Sequence, residues 1–64
     1  MQSRQLIRLL QRNGWRLDRV NGSHHIFVHP EFDRPIPVAH PKKDIPKGTL
    51  NAILRQAGLK GGRA

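Results

Sequence analysis

Asn21-Gly22 constrains the possible folds of this chain more than any other feature. It lies between two segments of alternating polarity, and Asn-Gly is the strongest short-range signal for a two-residue hairpin. A helical pattern stands on either side of the strand region. The chain is therefore committed to a small α+β fold built on an antiparallel sheet.

Ser3 reads as the N-cap of a helix from about Arg4 to Arg12. Leu6, Ile7, Leu9 and Leu10 make its apolar stripe, and Arg4, Arg8 and Arg12 recur every four residues as a basic one. Asn13-Gly14 supplies a C-terminal stop. A turn at Asn21-Gly22 then pairs Val20 with Ser23, Arg19 with His24, Leu17 with Ile26 and Trp15 with Val28. That register puts Trp15, Leu17, Ile26 and Val28 on the core face, with Arg19 and His24 at its hairpin end. Arg16, Asp18, His25, Phe27 and His29 fall on the other face. Pro30 to Asp33 reads as a loop. Pro35 to Ala39 reads as an edge strand, because its prolines cannot donate to a ladder.

Asp44 is a plausible N-cap for a second helix, with Pro46 in its first turn and Leu50, Ile53, Leu54 and Ala57 on its apolar face. Gly58 ends it and Leu59 folds back. The order is α-β-β-β-α, a three-stranded antiparallel sheet with two helices on one face. Residues 1–60 form one domain and 61–64 a disordered tail in this reading.

Twelve Lys and Arg stand against four Asp and Glu, a net charge of +8 on 64 residues. Such an excess favours a polyanionic partner: nucleic acid, an anionic membrane or an acidic protein. No apolar run approaches the roughly 20 residues needed to span a bilayer. The N-terminus lacks a signal-peptide core and there is no cysteine, so a cytoplasmic location is expected.

Histidine is the side chain best suited to proton transfer near neutral pH. His24 ends the hairpin opposite Arg19. If Val28 pairs with Ile36, His24 also faces His40, whereas a shift of two residues puts Val38 there instead. Two imidazoles at one sheet end, with Lys42 and Lys43 beyond, suit RNA cleavage. One would take the ribose 2′-OH proton, and the other, or a lysine, would serve the phosphorane or the leaving oxygen. The same position also suits a strand-end histidine bonded to backbone. His25 and His29 read as exposed strand positions. A zinc site is disfavoured: His24 and His25 point to opposite sides, and His25 and His29 lie roughly 13 Å apart along a strand. Lys42, Lys43 and Lys47 flank the start of the second helix, where N–H groups favour phosphate. Arg16 is a further candidate phosphate contact.

Gly22-Ser23-His24, Ile36-Pro37-Val38-Ala39-His40, Lys47-Gly48-Thr49-Leu50 and Ile53 to Leu59, in that order behind an N-terminal helix, resemble the HicA toxin family, also called YcfA-like proteins. The resemblance spans about residues 3 to 60. It implies a double-stranded-RNA-binding-like fold and a metal-independent mRNA interferase, an endoribonuclease that cuts messenger RNA and halts growth. It calls for no cofactor, and it implies an acidic HicB-type antitoxin that masks the active site. The family's catalytic histidine falls on His24, with His40, Ser23 and Arg19 as candidates for support. Asp44-Ile45-Pro46 departs from the acidic residue and lysine of many relatives. Two other readings fit the same charge and fold: a non-catalytic RNA-binding module, and an adaptor whose basic face docks an acidic protein.

Overall fold

The computed structural model describes residues 1–59. Helix α1 (Ser3–Arg12) is followed by strands β1 (Arg16–Asn21), β2 (His24–His29) and β3 (Phe32–Ala39), and then by helix α2 (Lys47–Gln56). The sheet is antiparallel in the order β1-β2-β3. The α-β-β-β-α architecture is the one expected. The domain boundary at residue 60 and the tail at 61–64 lie outside the described residues.

Both helices end in the same way. After α1, Gly14 takes φ +94°, its N–H donates to the Gln11 carbonyl, and the Trp15 N–H donates to the Leu10 carbonyl. After α2, Gly58 takes φ +76°, with Gly58 bonding Arg55 and Leu59 bonding Leu54. This is a Schellman ending, in which glycine supplies the left-handed residue and an apolar residue folds back onto the helix.

Both expected N-caps are displaced. Gln2, not Ser3, caps α1, through a reciprocal box with Gln5. Pro46, not Asp44, precedes α2. Asp44 accepts a hydrogen bond from the N-terminal ammonium at 3.4 Å.

The strand register also departs from expectation. Asn21 pairs with His24, so the two central turn residues are Gly22 and Ser23. Gly22 sits at φ +64°, the region primed hairpin turns require of their first central residue. Val20 pairs with His25, and Arg19 with Ile26. An irregularity at Asp18 then brings Leu17 opposite Phe27 and Arg16 opposite Val28. On the other side Phe27 pairs with Ile36, His25 with Val38 and His24 with Ala39. A slip of one residue exchanges the two faces of a strand. Phe27 and His25 therefore lie on the helix-covered face, and His24, Ile26 and Val28 on the opposite one.

The core follows from this. Phe27, Ile36 and Val38 meet Leu6 and Leu10 of α1, Ile53 and Leu54 of α2 and its C-cap Ala57, joined by Trp15 and Ile45. Leu17, expected in the core, is 46% exposed, whereas Phe27 is 1% exposed. Phenylalanine is the larger apolar side chain, and burying it contributes about 1.5–3 kcal/mol. β3 starts three residues earlier than expected, so Phe32 joins the ladder and packs on Trp15, ring centroids 5.0 Å apart.

His29, expected as an exposed strand position, is a structural staple. The Glu31 N–H donates to its Nδ1 at 3.0 Å. The ring proton is thereby assigned to Nε2, which donates to the Asn13 carbonyl at 3.1 Å. One imidazole thus ties the end of α1 to the turn between β2 and β3.

Candidate active site

The segment His40–Ile45 joins β3 to α2, and the start of α1 holds it in place. The Ser3 N–H donates to the Lys42 carbonyl and the Ile45 N–H to the Met1 carbonyl, both at 2.9 Å. The Lys42 N–H returns to Ser3 Oγ, also at 2.9 Å, and that oxygen lies 2.7 Å from His40 Nδ1. Ser3 is 2% exposed and is the buried polar residue of the described chain. Its hydroxyl accepts the Lys42 N–H and shares a second hydrogen bond with His40 Nδ1, so one buried oxygen joins the start of α1 to both residues. On the other side, the His40 N–H donates to the Ser23 carbonyl. Ser23 therefore contributes its backbone, holding His40 against the hairpin turn.

His24 is exposed at the first position of β2. It lines a cleft of about 260 Å³ between the end of β3 and the start of α2. Pro37, Val38, Ile45 and Ile53 supply apolar walls, and Lys42 and Thr49 supply a cation and a hydroxyl. Ala39, the residue paired with His24, has a one-carbon side chain and leaves the imidazole open to this edge. No carboxylate lines the cleft. An imidazole beside an ammonium, over apolar walls, can exchange a proton and stabilise an anion.

The remaining candidates are dispersed. His24 does not face His40, because His24 is paired with Ala39; the His40 ring instead packs edge-on against His25, centroids 4.8 Å apart. Arg19 shares the open face with His24 but sits opposite Ile26, and its guanidinium donates to Asp18 at 2.6 Å. Arg16 lines a separate hollow with Val28 and His29. Val28 is four strand residues from His24, roughly 13 Å. Lys47 is the exposed first residue of α2, outside the cleft lining. Lys42 belongs to the His24 cleft, whereas Lys43 lies on its far side, in a second cleft with His40.

Sequence reasoning missed the link between Ser3 and His40. A serine before a helical pattern reads as a cap, and nothing local signals a partner 37 residues away. Among the described residues no group of three or more His, Cys, Asp or Glu is placed to hold a metal ion. No helix among them is long and apolar enough to cross a membrane.

Fold and cleft together define a class: a small, strongly basic α-β-β-β-α domain with an open histidine at the mouth of a cation-bearing cleft. Residues 3–59 match the family described as HicA toxin of bacterial toxin-antitoxin, and the chain belongs to that family. It is thus a HicA toxin of a toxin-antitoxin system, which implies a cognate antitoxin. No curated protein gives a significant match.

Proposed function

We propose that this toxin is an endoribonuclease of the mRNA-interferase type, acting on messenger RNA in the cytoplasm and neutralised by an acidic HicB-type antitoxin that masks its active site. The observation that carries the reading is His24: an exposed imidazole at a hairpin end, in a cleft with Lys42 and Thr49 and no carboxylate. His24 exchanges the proton of the ribose 2′-OH or of the leaving 5′-oxygen. Lys42 offsets the charge that develops on the phosphorane. Imidazole and ammonium suffice for these steps, so the reaction needs no metal. The net charge of +8 draws the RNA in. His40 supports the site from behind, through Ser3 and the segment that carries Lys42.

The test compares His24→Ala with His25→Ala, reading RNA cleavage, growth arrest and antitoxin binding. His24→Ala should lose about 10²–10⁴-fold in cleavage rate, the range of general acid–base assistance. It should keep antitoxin binding. His25→Ala should retain cleavage in proportion to its folded fraction. A His24→Ala protein that still cuts RNA and arrests growth removes the assignment. A wild-type protein that binds RNA with a steep salt dependence and leaves it intact returns the non-catalytic RNA-binding reading.

A further inference from the structure

Behind the His24 cleft, across the segment Pro41–Lys43, lies a second cleft of about 450 Å³ at the start of α1. Arg4, Lys42 and Lys43 bring three cations to it, His40 and Ser3 line it as well, and no carboxylate does. Lys42 lines both clefts. Backbone bonds from Met1 and Ser3 hold this segment, so its fixed position does not depend on the charges attracting one another. Converging like charges is unfavourable in the free protein and becomes favourable when an anion enters. The bond from Ser3 Oγ to Nδ1 fixes the His40 ring at the wall of the same hollow. Arg4 adds a planar fork that matches two phosphate oxygens at once.

We propose that this second cleft is a phosphate subsite for the same RNA strand. The scissile phosphate lies beside His24, the strand crosses Lys42, and a neighbouring phosphate is held by Arg4, Lys43 and His40. The inference rests on the ribonuclease reading and adds to it a path for the strand and a minimum substrate length. His40 thereby becomes a binding residue.

The experiment uses Arg4→Ala, Lys43→Ala and the double variant. Both residues are exposed, and alanine at position 4 keeps the helix propensity of α1. Urea midpoints confirm that the variants fold. Binding is measured on a His24→Ala background with a fluorescein-labelled RNA pentamer, and cleavage on the otherwise wild-type protein with the pentamer and with a single-phosphodiester dinucleotide. Each substitution should weaken pentamer binding about tenfold. The double variant should reduce the slope of log affinity against log salt by about 0.7, the amount for one lost single-strand phosphate contact. Pentamer kcat/KM should fall several-fold further than dinucleotide kcat/KM.

Unchanged pentamer affinity and slope in the double variant overturn the subsite. So does an equal loss on dinucleotide and pentamer. If the wild-type protein cuts neither RNA but the Arg4-dependent pentamer binding persists, the ribonuclease reading fails and the subsite stands.

Discussion

Removing the Ser3 hydroxyl separates two accounts of that residue. As a helix cap, Ser3→Ala would cost about 1 kcal/mol and act independently of residue 40. In the structure Ser3 Oγ instead accepts the Lys42 N–H and contacts His40 Nδ1. Its loss removes two hydrogen bonds at about 1 kcal/mol each and leaves a part-buried backbone donor unpaired, so the expected destabilisation is about 2–4 kcal/mol. A domain of this length has a total stability of roughly 3–10 kcal/mol. The assay is urea denaturation, followed by Trp15 fluorescence, of Ser3→Ala, His40→Ala and the double variant, all on a His24→Ala background, which the proposed function makes non-toxic. The clamp predicts a coupling of about 1–2 kcal/mol, with the double variant less destabilised than the sum of the singles. Simple additivity, or a loss of 1 kcal/mol or less for Ser3→Ala, would restore the cap and refute the clamp.

The register makes a second prediction: Phe27→Ala should cost about 3–5 kcal/mol by emptying the core, whereas Leu17→Ala, at an exposed position, should stay within about 0.5 kcal/mol; denaturant midpoints decide. Gly14→Ala should destabilise more than Gly22→Ala. Both positions have positive φ and carry the left-handed strain of about 1–2 kcal/mol, but a Cβ at Gly14 comes within 2.8 Å of His29 Nε2, while one at Gly22 meets nothing within 4 Å. Equal thermal shifts for the two variants would remove His29 from its stapling role.

The element order was legible because each boundary carries its own chemistry. Asn13-Gly14 and Gly58-Leu59 announce helix ends through the left-handed residue that a Schellman ending needs. The prolines of β3 announce an edge. The face of β2 was not legible. His24-His25-Ile26-Phe27-Val28-His29 carries apolar and imidazole side chains on both sides, so alternation alone fits either orientation. The irregularity at Asp18 has no local sequence mark, and Asn21-Gly22 and Gly22-Ser23 both make acceptable turns. For the site, the Gly22-Ser23-His24 motif identified the open imidazole. The partition of the basic residues into two clefts depends on backbone bonds between Met1–Ser3 and Lys42–Ile45, which no spacing rule encodes.

The clamp on the His40–Ile45 segment also bears on how activity relates to folding. Its bonds join residues about forty positions apart, with the whole sheet between them. Long-range contacts of this kind form only after the entropy of closing the intervening chain has been overcome. A chain with a formed hairpin but an undocked α1 therefore lacks a fixed Lys42 and the cleft at the start of α1. On the proposed function, docking of α1 is thus a precondition of activity and not only of stability.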